Sequence, residues 1–327
     1  MWSLEHELPL SVEGGWLRSV DGQELWVVSV KATLDVGEGL TLADEQEPVT
    51  RAPIFEGEPG RSSLLVEAEL TLPRPLVDVV VVGEGRLDKA ADRTTVHLRA
   101  GRIDKRLQLW GPRRWGSSFT PGAAEPAERF PVSYEHAFGG RKLDAESYVH
   151  PFNPVGPGFA EQATAALVGQ VAPRVERLGA PVGLGREQRP AGFGAIASHW
   201  QPRLALAGTF DDTWFEERRP LLPSDYDLRF NNAAPADQQL EREALEDLVI
   251  HVEGMGCPYV AVLPPIDVHL ESELPQRRLV HQAPLVCIHA EPNERRLILL
   301  WQSVLDPGDD SYELACTTVT ASGLPER

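Results

Sequence analysis

The chain has 327 residues, a length that one large all-β domain can reach, and its 28 glycines and 28 prolines are scattered among apolar residues. This composition favours a turn-rich globular protein over a disordered one. The 49 acidic and 31 basic residues give a formal net charge of -18, which repels phosphate backbones and anionic membrane surfaces, so we expect neither nucleic acid nor a membrane as a partner.

The first third of the chain has the pattern of a β protein. Residues 25–33, 63–72, 94–101 and 106–110 alternate polar and apolar side chains with a period of two, which predicts half-buried antiparallel strands. Residues 79–82 form a continuous β-branched run that ends at Gly83-Glu84-Gly85. Such a run predicts a strand buried on both faces at the centre of a sheet.

After Trp110 the pattern changes to long proline-rich loops that continue to about residue 245. Because unstructured loops of this length are rare in compact domains, we expect tryptophans in this region to fix the loops onto the sheets. Short helices are predicted at residues 160–168 and 236–248, and the second is preceded by Pro235 and carries Asp237 in its first turn.

The last part of the chain returns to strands, which we expect at residues 259–263, 285–289, 296–304 and 311–320, with a turn at residues 291–294. The whole pattern predicts a mainly β fold of packed antiparallel sheets, sandwich or barrel-like, with long Pro/Gly-rich loops and a few short helices. We expect residues 1–327 to form one β-rich domain, either continuous or as two intimately packed halves. Residues 1–115 would give an N-terminal sheet, 116–240 a loop-rich segment and 241–327 the C-terminal strands.

The common catalytic signatures are missing from the sequence, which has no G-x-S-x-G, H-E-x-x-H, Walker or dinucleotide-binding motif. Cys257, Cys287 and Cys316 have no C-x-x-C spacing, so we expect no disulfide framework and no metal site, and a reducing compartment. The sequence also shows no signal-peptide pattern and no apolar stretch long enough to span a bilayer. We therefore expect a cytoplasmic protein without a cofactor.

Four aspartates are the best candidates for an enzymatic site, because paired carboxyl groups can act as general acid and base or hold a hard metal. They are Asp211, Asp212, Asp225 and Asp227. Aspartates in loops more often cap the local backbone, and we favour that interpretation here. The alternative is a carbohydrate-active hydrolase or a sugar-binding module on a β scaffold that uses these four carboxylates.

Two regions have the composition of a protein interface. Residues 86–114 contain 9 basic and 3 acidic residues, whereas residues 1–70 contain 4 basic and 14 acidic ones. The basic side chains could form a solvent-exposed row along paired strands, which is the interpretation we favour, or they could bind an acidic partner protein. Residues 191–239 combine aromatic residues with arginines, which either staple loops or form a partner surface. The candidate partner-binding residues are Arg102, Arg106, Trp110, Arg113, Arg114, Trp115, Trp200, Trp214, Arg218 and Arg219.

Six segments, in order along the chain, carry a family resemblance. They are VSVKAT (28–33), DVVVVG (78–83), KRLQLWGPRRW (105–115), PVSYEHAFGG (131–140), NPVGPGF (153–159) and residues 191–239. Together they resemble a bacterial domain-of-unknown-function family that is encoded beside PAAR, spike and toxin proteins and supplies effector adaptors, or chaperones, for type VI secretion.

The resemblance implies a protein without catalytic residues that binds a toxic effector, or its PAAR or spike-tip segment, in the cytoplasm and promotes its loading onto the spike. We expect such a protein to present an exposed apolar cleft with a charged rim. The positions that match the family's structural motifs are Tyr134, Phe138, Gly139, Gly140, Asn153, Pro154, Gly156, Phe193, Arg203, Asp225, Asp227, Arg229 and Phe230.

Overall fold

The computed structural model of the chain describes residues 2–142, 145–185 and 187–326. Within these residues there are 22 strands, seven short 3₁₀ helices and one α-helix, α1 (Asp212–Glu217). In chain order the strands are β1 (Ser3–Glu5), β2 (Ser11–Arg18), β3 (Glu24–Val36), β4 (Leu40–Leu42), β5 (Ile54–Phe55), β6 (Leu64–Val66), β7 (Val77–Val81), β8 (Glu84–Ala91), β9 (Arg93–Ala100), β10 (Ile103–Trp110), β11 (Ala127–Pro131), β12 (Arg141–Lys142), β13 (Ala145–Val149), β14 (Val175–Arg177), β15 (Gln239–Leu240), β16 (Val249–Glu253), β17 (Tyr259–Val262), β18 (Asp267–Leu274), β19 (Arg277–Ala283), β20 (Leu285–Glu291), β21 (Arg296–Leu305) and β22 (Cys316–Ser322). The 3₁₀ helices lie at Tyr134–His136, Ala165–Leu167, Arg203–Leu206, Leu228–Asn231, Ala236–Gln238, Arg242–Ala244 and Gly308–Glu313.

Three larger sheets organise the molecule. The seven-stranded sheet has the order β15-β7-β20-β21-β3-β2, with β4 paired to β3; the five-stranded sheet has the order β14-β10-β9-β16-β17; and the four-stranded sheet has the order β1-β22-β18-β19. Three two-stranded ribbons, β5-β6, β8-β11 and β12-β13, complete the set for the described residues. Nearly all pairs are antiparallel, with β7-β20 and β1-β22 parallel. The predicted mainly β fold of packed, mostly antiparallel sheets is thereby confirmed.

Strand β3 is buried on both of its faces. On one face, Trp26, Val28, Val30, Ala32 and Leu34 join a hydrophobic core that includes residues from all three large sheets. The opposite face carries Ser29, Lys31 and Thr33, and it too is buried. The prediction of a half-buried strand at residues 25–33 is therefore wrong in its exposure, although a strand is present there.

The polar face of β3 is buried because residues 43–76, here called the covering segment, lie across it. Ser29 Oγ donates to the carbonyl oxygen of Glu69 at 2.6 Å, and the side-chain amide of Gln46 exchanges hydrogen bonds with the backbone of Thr33 at 2.8 and 2.9 Å. Polar side chains can be buried when they are hydrogen-bonded in this way. The alternating pattern thus marks a strand whose polar face meets protein instead of water.

A row of residues crosses four strands beneath the covering segment. Asp78 on β7 lies opposite Cys287 on β20, which lies opposite Leu300 on β21, which in turn lies opposite Lys31 on β3. Lys31 Nζ lies 3.0 Å from Glu69 Oε1. The carboxylate of Asp78 accepts hydrogen bonds from Ala233 N at 2.8 Å and from the side-chain amide of Asn232 at 3.1 Å, both in the loop-rich segment, and lies 3.9 Å from Arg74 of the covering segment.

Two predicted helices are wrong. Residues 160–168 contain one 3₁₀ turn, and residues 236–248 contain two 3₁₀ turns separated by β15. The second region cannot continue as a helix because Gln239 and Leu240 pair with β7, while Gln238 Nε2 donates to the carbonyl oxygens of Val79 and Phe193 at 2.8 and 2.9 Å. Tertiary pairing here outweighs local helix propensity.

Strand β7 is buried on both faces, as its β-branched run predicts, but it is not at the centre of its sheet. Of the described strands, only the two-residue strand β15 lies outside it. A second, smaller core forms around Trp115, Phe138 and Phe159. Across the described residues, no helix combines the length and the apolar character needed to cross a membrane.

The buried histidine of this sheet gives a prediction for pH dependence. Burial, reinforced by the nearby cation Lys31, lowers the pKa of His289 from 6.5 to about 4. The unfolded chain therefore takes up a proton as the pH falls below 6.5, while the folded chain does not. We expect the free energy of unfolding to decrease between about pH 6.5 and pH 4, by up to about 3 kcal/mol from this residue.

Urea unfolding of the wild type and of His289→Leu across this pH range measures the effect. Asp78 and Glu291, whose pKa values are raised by burial, act in the opposite direction but are common to both proteins. The variant should lose less stability than the wild type on acidification. His6→Leu, at an exposed site, controls for the loss of a histidine. Parallel pH profiles for wild type and His289→Leu would show that this histidine does not carry the effect.

Candidate functional site

A groove with a volume of about 710 Å³ lies at the β14 edge of the five-stranded sheet. Strands β10 and β14 contribute to its lining, together with Ala180, Val182 and Leu184, residues 187–192 and residues 235–237. Five residues from other parts of the chain complete it: Tyr134, Phe152, Ile196, Gln201 and Pro202. The groove is therefore assembled from parts of the chain that are far apart in sequence.

The lining of the groove is predominantly apolar. Its larger apolar side chains are Leu107, Phe152, Val175, Val182, Leu184 and Ile196. The guanidinium of Arg189 lies over the ring of Phe152, 3.8 Å from the ring centroid, so a cation covers one aromatic face. A concave apolar surface with charged groups around it has the form that the family resemblance leads us to expect.

Two cations on one side of the groove share the carboxylate of Asp237. Lys105 Nζ donates to Asp237 Oδ1 at 2.9 Å and to Gln238 Oε1 at 2.6 Å, and Arg177 contacts the other oxygen of Asp237 at 3.3 Å. Burial lowers the pKa of Lys105, and the charge of Asp237 acts against this. Asp237 therefore links β10 to β14 at the groove, while the Arg177 side chain remains largely exposed.

Glu176 fixes the opposite side of β14. Its carboxylate accepts hydrogen bonds from Arg113 at 2.6 Å, from Trp110 Nε1 at 2.8 Å and from the backbone N–H of Val182 at 3.1 Å. Burial lowers the pKa of Arg113, while the adjacent carboxylate of Glu176 acts in the opposite direction. One buried carboxylate thus joins β14, the basic turn after β10 and the loop that lines the groove.

Asn153 positions two of the aromatic residues of the groove. Its Nδ2 donates to the carbonyl oxygens of Tyr134 and Phe138 at 2.8 and 3.1 Å, and its Oδ1 accepts from Gly156 N at 3.2 Å. The preceding residue is Phe152. Because Asn153 is fully buried, this set of bonds holds Tyr134 and Phe152 at a fixed separation.

The glycines around Asn153 allow this close approach of two loops. Gly140 has a φ of +90°, and a Cβ atom there would lie 1.9 Å from the carbonyl oxygen of Gly156. A Cβ atom at Gly156 would lie 2.1 Å from the carbonyl oxygen of Ala137. Neither position can accept a side chain without moving the backbone. Gly139 and Pro154 belong to the same two loops.

Arg203 positions the segment that contains Ile196. Its guanidinium donates to the carbonyl oxygens of Ile196 at 2.7 Å and Phe230 at 2.8 Å, and it forms an ion pair with Glu67 of the covering segment. Phe193, three residues before Ile196, is buried, and its ring centroid lies 5.8 Å from Lys105 Nζ. The groove is consequently tied to both the covering segment and the five-stranded sheet.

The aspartates that could have formed a catalytic pair make local contacts. Asp211 Oδ1 accepts from Trp214 N at 2.9 Å and caps α1, and Asp212 lies in the first turn of that helix. Hydrogen bonds from Thr209 lower the pKa of Asp225. A hydrogen bond from Arg229 lowers the pKa of Asp227, which caps the 3₁₀ helix at Leu228–Asn231. Among the residues that the structure describes, no group of three or more His, Cys, Asp or Glu is arranged to hold a metal.

None of the ten candidate partner-binding residues lines this groove. Trp115, Trp200 and Arg113 are buried, so they contribute to the interior. Trp110, Trp214 and Arg218 are half-buried, while Arg102, Arg106, Arg114 and Arg219 are exposed. Several of them hold loops in place; for example, Arg218 donates to the carbonyl oxygen of Val20 at 2.7 Å and Arg102 to that of Gln239 at 2.7 Å.

Sequence reasoning missed most of the groove. Of its lining residues, Tyr134 is among the motif positions that the sequence singles out. Loop residues 180–185 and 187–192 show only the glycine and proline content of an ordinary loop. The resembling motifs gave one usable signal. Lys105, Tyr134 and Ile196 belong to three different motifs, and all three residues line the groove.

The hydrogen bonds of Asn153 predict the effect of replacing its side-chain amide by a carboxylate. In Asn153→Asp a carboxylate would face the carbonyl oxygens of Tyr134 and Phe138, and we expect a loss of about 3 kcal/mol or more in the free energy of unfolding. Gln170→Glu, the same chemical change at an exposed site, should alter stability by less than about 0.5 kcal/mol. Urea denaturation of both variants is the measurement, and equal stabilities would contradict the assigned role of Asn153.

No curated protein and no solved structure matches the chain. The sequence pattern of one bacterial family does match it, over residues 21–302. This span includes all the strands and loops that line the groove. The chain therefore belongs to the family described as "Uncharacterized protein conserved in bacteria (DUF2169)".

Proposed function

We propose that this protein is a non-enzymatic adaptor, or chaperone, that binds a type VI secretion effector or its PAAR or spike-tip segment in the cytoplasm and promotes its loading onto the spike. The observation that carries the proposal is the groove at the β14 edge, which is open, predominantly apolar and already formed. An apolar segment of another protein would be shielded from water in it.

The polar groups of the groove favour a polypeptide segment over a small molecule. Small-molecule sites fix their ligand with a few convergent polar groups that are free to bind it. Here Lys105 and Arg177 are engaged by Asp237, and Glu176 is engaged by Arg113. The rest of the lining is mainly apolar, with exposed charged side chains such as Arg177 and Glu187, and an apolar surface provides affinity without demanding one exact ligand structure.

The link to type VI secretion is supported by where the resembling motifs lie. Lys105 and Leu107 belong to the KRLQLWGPRRW segment, Tyr134 to PVSYEHAFGG, and Ile196 and Asp237 to residues 191–239, and all of them line the groove. Segments that resemble an adaptor family therefore build the concave surface. The net charge of -18 would also attract cationic toxin domains and make association sensitive to salt.

A carbohydrate-active hydrolase is the rival function, and the geometry offers it no specific support. A glycosidase needs two carboxyl groups on either side of one bond, within a substrate cleft. Asp211, Asp225 and Asp227 instead cap or brace their own loops, and none of them lines the groove.

Filling the groove tests the proposal. Ala180 and Ala236 are exposed residues in its lining, so Ala180→Trp and Ala236→Trp should occupy the groove without disturbing the core. After co-expression with the toxin and tip protein encoded beside it, we expect each variant to retain about tenfold less effector on co-purification. Ala123→Trp, an exposed alanine outside the groove, should retain the wild-type amount.

Deletion of the protein separates the two parts of the proposal. An effector that is equally soluble and equally secreted in its absence would refute the adaptor function. If effector recovery depends on the protein but both groove variants behave like Ala123→Trp, then the adaptor function stands and the groove is not the binding surface.

A further inference from the structure

Strand β17 forms the outer edge of the five-stranded sheet, where β16 is its only partner among the strands that the structure describes. Its Val260 and Val262 side chains are 49% and 55% exposed on the solvent face of the sheet. Val249 on β16 lies directly opposite Val262 and is also exposed. The three valines form an apolar strip along an edge, on a face where β9 and β10 otherwise carry charged side chains.

The backbone of β17 has hydrogen-bonding groups that point away from the sheet. Leu263 N donates to the carbonyl oxygen of Leu248 at 2.8 Å, which makes these two residues a hydrogen-bonded pair of the antiparallel ladder. Hydrogen-bonded and non-hydrogen-bonded pairs alternate along such a ladder. Val262 and Val260, one and three residues before Leu263, therefore belong to non-hydrogen-bonded pairs, and their backbone N–H and C=O groups point away from β16. In the described part of the chain, no hydrogen bond is formed by these four groups.

The edge has only part of the usual protection against further pairing. Natural edge strands are kept short or are blunted by lysines, prolines, bulges or covering loops. The opposite edge of this sheet, β14, forms bridges to Ala137 and Ala180, and the edge strand β19 begins with Arg277-Arg278. Strand β17 is short and is flanked by Pro258 and Pro264, but its own four residues, YVAV, include no charged residue, proline or bulge.

We propose that the β17 edge is a docking site for an extended segment of a partner protein, which adds as a sixth strand of the sheet. The segment would place β-branched side chains at every second position, against Val260 and Val262, and pair its backbone with their outward N–H and C=O groups. This site is separate from the groove, and the inference holds whether or not the groove binds an effector.

The charges near the edge specify the partner segment further. Leu248, which pairs with Leu263, is preceded by the exposed residues Glu246 and Asp247. A segment that continues past Leu263 therefore enters an acidic region, and lysine or arginine at that end would be complementary. A second copy of this chain is disfavoured as the occupant, because each copy carries a formal charge of -18.

A synthetic peptide tests the site on the full chain. The probe has about ten residues, a length typical of a strand and its ends, with alternating valine and threonine and a lysine at each terminus. At peptide concentrations up to about 1 mM, we expect amide exchange at Val260 and Val262 to slow by about tenfold. A peptide with glutamate at both termini should bind about fivefold more weakly.

Two variants locate the binding. Val262→Pro removes an outward N–H while leaving the bonds between β16 and β17 intact, so peptide binding should be lost and the melting temperature kept. The double variant with Val260→Lys and Val262→Lys keeps the backbone and should also abolish binding, since its lysines cover the strip and repel the probe. Val280→Lys, at a valine 74% exposed on β19, is the matched control and should bind normally.

Three results would overturn the proposal. One is protection by the peptide at residues other than the β17 edge, and another is unchanged binding by both β17 variants. The third is self-association of the wild type in sedimentation that Val262→Pro abolishes, which would make a second copy the occupant of this edge.

Discussion

Lys31 lies at the middle of a thirteen-residue strand and is 2% exposed, so its charge has to be neutralised inside the protein. The carboxylate of Glu69 does this at 3.0 Å and also accepts the N–H of Thr50 at 2.6 Å. An unpaired charge in this position would cost several kcal/mol, about 3–5 by comparison with broken buried pairs. The covering segment is therefore required by the sheet on which it lies.

Buried ion pairs and hydrogen bonds also connect the sheet to the groove. Two residues before Glu69, Glu67 pairs with Arg203, and the guanidinium of Arg203 holds the backbone of Ile196 and Phe230. A second connection is made by Gln238. Its side-chain N–H groups donate to the carbonyl oxygens of Val79 and Phe193, and its side-chain oxygen accepts from Lys105. The apolar groove is thus supported by buried polar contacts that join the seven-stranded and five-stranded sheets.

Sequence reasoning predicted those features that depend on near neighbours in the chain. Alternation located most of β3, β9 and β10, and the aspartates at 211, 225 and 227 act as caps and braces, as turn chemistry suggests. The strands β18 and β19 were missed although residues 267–274 alternate, as were β1 and β2. The predicted strand at 311–320 begins instead with a 3₁₀ helix, and that at 63–72 is shortened to β6.

The groove could not be predicted from the sequence, for a different reason. Its lining comes from residues as far apart as Lys105 and Asp237, and no periodic pattern connects them. Burial of polar residues such as Lys31 and Gln238 likewise depends on which distant loop covers them. These features are set by tertiary pairing, which local patterns do not encode.

The pairing of β3 with β21 has a consequence for biosynthesis. Its partner on one side, β21, spans Arg296–Leu305, so a ribosome has to produce most of the chain before β3 can be enclosed. Until then the alternating apolar side chains of an early-made strand stay accessible to other nascent polypeptides. The apolar face of β3 can therefore be enclosed only after β21 has been synthesised, and the interval between the synthesis of these two strands is the stage at which the chain is most open to aggregation.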